Sequence, residues 1–250
     1  MPSTASVEIN RPPLSLLGTE PWRAALEFLS FKLNDVRQTK MVPAGDGHPV
    51  IIFPGLATDS SAIAPLRDYC ESLGYSMLDW HRGFSTGPKG DLDRWLEDLA
   101  AHTAKVLGEQ DKAILIGWSL GGLYAREVGK LLAPQVRQVI TIGTPFNAEA
   151  DHTNVGWLFQ LLSGTSAAFD PALSRRLRMP PPLPTTSIYS RSDGVVAWET
   201  CRHAKLGRQV QDIEIKGSQI GMGWNPAVLQ IVGDRLGQHP ANWQPYRHAA

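Results

Sequence analysis

The 250 residues hold only two cysteines, Cys70 and Cys201. That excludes a disulfide framework and makes a reducing compartment, the cytoplasm, the default expectation. Neither charge is in excess: 24 Lys and Arg stand against 24 Asp and Glu, with a sequence pI near 7.1. Such a balance leaves no electrostatic footprint for nucleic acid. No apolar run reaches the ~20 residues that a membrane-spanning helix needs. The opening stretch MPSTASVEINRPPLSLLG lacks a basic segment followed by an apolar one, so it does not read as a secretory signal. Internal repeats and low-complexity tracts are missing. No ligand cluster suggests a metal, and no organic cofactor is called for. What remains is 42% hydrophobic and 19% charged residues, enough to fill a core in one large α/β domain or two small ones.

Along the chain, residues 1–18 read as a Pro-containing arm. A helix is expected from Thr19 to Leu33, with Thr19 as cap and Pro21 in the first turn. Trp22, Leu26, Leu29 and Leu33 fall on one face of it, widened by Phe28 and Phe31. That face either packs on its own domain, or lies on a membrane or roofs a lipid pocket, so peripheral membrane contact through residues 19–33 is one expectation. Residues 1–44 are thus an arm plus an amphipathic helix, and 45–250 a second unit with its own rhythm. There Pro49–Phe53 (PVIIF) is a buried strand, Ser76–Trp80 a weaker one, and 91–107 a helix. Lys112–Gly117 (KAILIG) and Val136–Ile142 (VRQVITI) are strands around a helix over 120–132. Thr186–Tyr189 and Gln211–Ile215 are strands, and Pro226–Leu236 a closing helix. Alternating strands and helices predict an α/β fold: a mostly parallel, doubly wound sheet with a site at the carboxyl ends of its strands. Residues 146–184 interrupt the rhythm with an apolar segment, VGWLFQLL (155–162), and a proline run, MPPPLP (179–184). An insertion at that edge is either a lid over a pocket or a structural excursion, and the lid is the expectation.

Three stretches then carry chemistry. Gly117-Trp118-Ser119-Leu120-Gly121 matches G-x-S-x-G between a strand and a helix. A serine on so tight a turn needs small neighbours, and the turn lifts its hydroxyl above the sheet as a nucleophile. Pro54-Gly55-Leu56 follows the first strong strand. The backbone N–H groups of Leu56 and Leu120 are the natural pair of oxyanion donors. Asp193, in SRSDGVV just after a late strand, can orient a base arriving from the next strand's end. Trp118, Trp157 and Trp224 lie near these elements and either line an apolar acyl pocket or are core aromatics.

Taken together, GDGHPVIIFPGL, GWSLGG, IGTPF, SDGVV and GMGWNPAVL resemble the α/β-hydrolase superfamily in its bacterial lipase- or esterase-like branch, over roughly residues 45–236. The resemblance implies an eight-stranded, mostly parallel sheet and a Ser–Asp–His triad acting on carboxylic esters. The substrate would be a small acyl ester or lipid, with Ser119 as nucleophile and Asp193 as acid. The family's histidine normally stands in a pattern like S-H-x-G-M-G; here Ser218-Gln219-Ile220-Gly221-Met222-Gly223 puts Gln219 at the position of the triad base.

Glutamine has no useful basicity. Its NH2 is expected to donate to Asp193 and its carbonyl to accept from Ser119, which keeps the polar network satisfied but leaves no proton acceptor. Two other histidines fall at the correct edge of the sheet as substitute bases, His81 after the second strand and His152 in the insertion. His203 is a weaker candidate, and His48, His102, His239 and His248 read as surface residues. Three readings stay open: a serine ester hydrolase without its base, a non-catalytic relative that binds an apolar or acyl ligand, and an active variant with a surrogate base. The oligomeric state is not legible.

Overall fold

The computed structural model describes residues 12–33, 44–109, 111–147 and 171–247. Its centre is a six-stranded, fully parallel sheet in the order β2-β1-β3-β4-β5-β6. The strands are β1 (Pro49–Phe53), β2 (Ser76–Leu78), β3 (Ala113–Trp118), β4 (Val136–Ile142), β5 (Thr185–Ser190) and β6 (Val210–Ile215). The helices are α1 (Leu14–Leu33), α2 (Ala64–Ser72), α3 (Leu92–Leu107), α4 (Leu120–Leu131), α5 (Pro171–Arg178) and α6 (Pro226–Leu236). Parallel neighbours require crossovers, and helices α2, α3, α4 and α6 cover both faces of the sheet. The described residues therefore hold six strands where the resemblance implies eight.

Strand alternation sorts the core into two layers. Val50, Ile52, Ile114 and Ile116 point to one face and pack with Leu66 of α2 and Val228, Leu229 and Val232 of α6. Ile51, Phe53, Ala113 and Leu115 point to the other and pack with Leu96 and Leu99 of α3 and Leu123, Tyr124 and Val128 of α4. Every residue of β1, β3 and β5 is buried, which explains their unbroken apolar or small-residue runs. Local chemistry fixes the helix starts. Asp91 caps α3 by accepting from the Arg94 N–H, and Asn225 caps α6 by accepting from Ala227 with Pro226 in the first turn. The boundaries of β1, β4 and α6 coincide with those expected from the sequence. Helix α2 was not anticipated, because its nine residues bury only Leu66, Tyr69 and Cys70.

The N-terminal helix departs from expectation twice. It begins at Leu14, so Thr19 is not its cap; the Thr19 hydroxyl donates to the carbonyls of Ser15 (2.9 Å) and Leu16 (3.1 Å), and Pro21 lies inside the helix. It packs on its own domain, but with the opposite face. Trp22, Leu26, Leu29 and Leu33 face solvent, with Trp22 69% and Leu33 76% exposed, while Glu20 and Ala24 are buried. A separation of two residues is about 200° around a helix, so the set 20, 24, 27 and the set 22, 26, 29 stand back to back. Polar contacts described below give the reason. No helix among the described residues is long and apolar enough to cross a membrane.

The expected lid helix, 155–162, lies outside the described residues. The rest of that excursion packs beside α4: Arg126 donates to the carbonyls of Leu177 (3.3 Å) and Arg178 (3.2 Å), and Lys130 to that of Arg176 (2.7 Å).

Candidate active site

The strand order reverses between β1 and β3, the switch point where ligand sites of open α/β sheets form. Ser119 stands there, between β3 and α4, with φ 54° and ψ −122°. A non-glycine residue in that conformation costs on the order of 1–3 kcal/mol, which the surroundings must offset. The Ser119 N–H donates to the Ile142 carbonyl (2.8 Å), and the Ser119 carbonyl accepts from Gly122 (3.0 Å). Glycines make the turn geometrically possible. A Cβ on Gly117 would overlap the backbone of Gly121 and Gly122; one on Gly121 would overlap the Phe53 and Pro54 carbonyls; one on Gly122 would overlap the Thr144 side chain. The half-buried serine is thus clamped from β1, β4 and its own helix.

The Pro54-Gly55-Leu56 turn closes on it from β1. A Cβ at Gly55 would sit 3.4 Å from the Ser119 Cβ, in ordinary contact. Ala57, at φ 55°, turns the chain away behind Leu56, and its N–H is held by the Ser85 carbonyl (2.8 Å). Leu120 is the first residue of α4, so its N–H has no acceptor within the helix. Both expected oxyanion segments therefore flank Ser119, at the positive end of α4.

Asp193 is 3% exposed. One carboxylate oxygen accepts from the N–H groups of Val195 (2.8 Å) and Val196 (2.7 Å). Burial pushes its pKa up to about 7, against the pull of those two N–H groups and with a push from the nearby Glu20 carboxylate. The Arg23 guanidinium pulls it down as well.

Gln219 is equally buried, at 3%. Its main-chain carbonyl accepts from the indole N–H of Trp118, the residue before the serine, at 3.1 Å. Its carboxamide does not make the expected pair of bonds to Asp193 and Ser119. The NH2 donates to the Gly143 carbonyl (3.0 Å), and Oε1 has no hydrogen-bond partner among the described residues. Gly143, at φ 54°, makes room for this side chain, because a Cβ there would overlap the carboxamide oxygen. Gly143 directly follows Ile142, the acceptor of the Ser119 N–H. The structure thus brings Ser119, the Leu56 turn and Gln219 together around the ends of β1, β3 and β4, with Asp193 buried on the neighbouring β5 loop.

Other expected residues fall elsewhere. Trp118 belongs to the core beneath the site, whereas Trp224 packs edge-on against Phe28 of α1 with centroids 5.5 Å apart and lines the apolar cavity beside α1. Trp157 and His152 lie outside the described residues. His81 follows the edge strand β2, two strands from β3, and its ring faces His102 of α3 at 6.5 Å. Both ring nitrogens of His203 are engaged, Nδ1 with Asp212 (2.6 Å) and Nε2 with Arg126 (2.9 Å). His48 is buried against Tyr75 and paired with Asp46 and Arg137, not a surface residue. No group of three His, Cys, Asp or Glu among the described residues could hold a metal.

Sequence reasoning missed the residues of α1 that reach this site. Glu20, 2% exposed, accepts from the main-chain N–H of Gln219 at 3.2 Å. The only signal was that Glu20, Ala24 and Glu27 share the face opposite the apolar stripe. Beside them a cavity of about 1060 Å³ opens between α1 and α2, lined by Ala24, Phe28, Phe31, Tyr69, Ile220 and Trp224 among others.

Comparison with known proteins places this geometry among relatives. Residues 50–247 match the model of the "Alpha/beta hydrolase family". A pimeloyl-[acyl-carrier protein] methyl ester esterase of Shewanella woodyi is 32% identical over 122 residues, 48% of this chain and 45% of that protein. The match thus spans less than half of that relative's length. Among solved structures, Aspergillus fumigatus lipase B superposes with a TM-score of 0.59 at 18% identity, covering 79% of this chain and 54% of that one. An alpha/beta superfamily hydrolase from Oenococcus oeni PSU-1 gives 0.56 at 16% identity, covering 78% and 94%. At those identities the two structures speak to the fold alone.

Proposed function

The chain belongs to the alpha/beta hydrolase family, and from that premise we propose that it is a serine hydrolase of carboxylic esters held back by the glutamine at its base position. The observation that carries the proposal is the Ser119 turn. A strained serine, three glycines that admit no Cβ and an adjacent β1 turn form an arrangement that costs free energy to hold, as active-site strain does. In the reaction, the Ser119 hydroxyl attacks the acyl carbonyl while the Leu56 and Leu120 N–H groups receive the developing oxyanion. The alcohol leaves, and water releases the acid from the acyl-enzyme. Each step needs a group that takes and returns a proton. Gln219 cannot, and its carboxamide is turned to the Gly143 carbonyl. Loss of a triad histidine costs on the order of 10⁶ in turnover.

The substrate class we propose is a small-molecule acyl ester or lipid, in keeping with the esterase name of the partial relative. Residues 45–250 form the hydrolase domain, 146–184 its lid, and the protein acts in the cytoplasm. The exposed stripe of α1 makes peripheral contact with membranes. The apolar cavity beside α1 favours a second reading, a protein of this fold that binds an apolar or acyl ligand without turnover. Ester turnover of the protein and of Gln219→His separates the two: activity gained with histidine supports the first, and silence in both folded proteins the second.

A further inference from the structure

Burying a carboxylate is costly unless hydrogen bonds satisfy it. Helix α1 buries Glu20 and half-buries Glu27 while leaving Trp22, Leu26, Leu29 and Leu33 in solvent. An anchor that served only to attach the helix would use the apolar stripe. The carboxylates instead find backbone N–H groups far along the chain. Glu20 Oε1 accepts from Gly194 (2.7 Å) and Gln219 (3.2 Å), and Oε2 from Ile220 (3.3 Å). Glu27 Oε1 accepts from Ser218 (2.8 Å). Arg23 completes the set: it donates to Glu20 (2.8 Å) and to the Ser192 carbonyl (2.5 Å). The two loops are shaped for this approach. A Cβ on Gly194 would run into the backbone of Leu16 and Leu17, and one on Gly221 would overlap Glu27 Oε2. Trp224, at the end of the second loop, donates its indole N–H to the Ala24 carbonyl (3.1 Å).

We propose that Glu20 and Glu27 are positioning residues of the site. From one face of α1 they hold the loop that carries Asp193 and the loop that carries Gln219 in register with each other, by accepting main-chain N–H groups from both. The assignment of these loops to an acid and a base rests on the functional reading above; the holding itself does not. Of the two glutamates, Glu20 is the one that touches both loops. Charge-assisted bonds to N–H groups are about twice as strong as neutral ones, and they fix a loop's backbone without restricting its side chains. Residue 219 can therefore be glutamine or histidine on the same mount.

The test is amide hydrogen exchange by NMR on the full chain, with the side-chain carboxyl signal of Asp193 followed against pH. Glu20→Ala should speed exchange at Gly194, Gln219 and Ile220 by about tenfold, the equivalent of one lost charge-assisted bond. Glu27→Ala should do so at Ser218. Amides of the central strands should keep their rates. Glu20→Gln keeps an acceptor oxygen and removes the charge. It should leave intermediate protection and lower the Asp193 midpoint, with Arg23 still in place. Unchanged rates at these four amides, or a rise shared equally by the sheet, would overturn the proposal. Should Glu20→Ala fail to fold, unchanged exchange at Gly194, Gln219 and Ile220 in Glu20→Gln overturns it as well. No ester enters this experiment, so inactivity toward esters would remove the catalytic reading and leave this one standing.

Discussion

Replacing Asp193 by asparagine should stabilise the protein at alkaline pH and leave it unchanged in acid. An Asp in the unfolded chain titrates near 3.8, and burial in the folded protein lifts Asp193 to about 7. Below pH ~4 both states carry the proton and the residue adds no pH-dependent penalty. Between those values the folded state holds a proton that the unfolded chain has released. Stability therefore falls as pH rises through the window, and the loss saturates above about 7. A shift of roughly three pH units corresponds to about 4 kcal/mol. Asparagine keeps the oxygen that accepts from Val195 and Val196 and cannot ionise. Urea unfolding of both proteins from pH 4 to 9 should give curves that coincide near pH 4 and diverge toward pH 8, with the asparagine variant higher by a few kcal/mol. Taking the difference between the two proteins cancels buried His48 and His203, whose pKa values burial lowers and which destabilise the fold on the acid side. Parallel curves across the range would refute the claim that a buried carboxyl with a raised pKa sits at this position.

Two further outcomes follow from the same geometry. Gly117→Ala forces a Cβ into the Gly121–Gly122 backbone, so thermal unfolding should show a loss of about 3 kcal/mol or more, or no folded protein; a loss below 1 kcal/mol would mean the turn is looser than described. Cosedimentation with anionic vesicles should retain the protein and lose Leu26→Glu/Leu29→Glu, which places charges in the exposed stripe; equal retention of both would remove the membrane-contact proposal.

Legibility from sequence followed the range of the interactions. Strands such as PVIIF and AILIGW declare themselves because burial on both faces demands continuous apolar or small residues, and α6 because Asn225 and Pro226 set its start locally. The serine turn was legible because steric need writes glycines at fixed spacing around Ser119. Two features were not. The face that α1 buries is set by N–H groups of Gly194, Ser218, Gln219 and Ile220, more than 170 residues away, and hydrophobic periodicity points to the other face. The partner of the Gln219 carboxamide is a main-chain carbonyl, that of Gly143, and a carbonyl leaves no mark in the choice of residue type. His48 likewise drew its burial from Tyr75 and Arg137, distant in sequence.

The central claim is that an ester hydrolase stands here without its base. The most direct measurement is the turnover of short- and medium-chain p-nitrophenyl esters by this protein beside its Gln219→His variant. The account predicts a gain of several orders of magnitude, up to about 10⁶, with histidine. Equal turnover in the two folded proteins would contradict it.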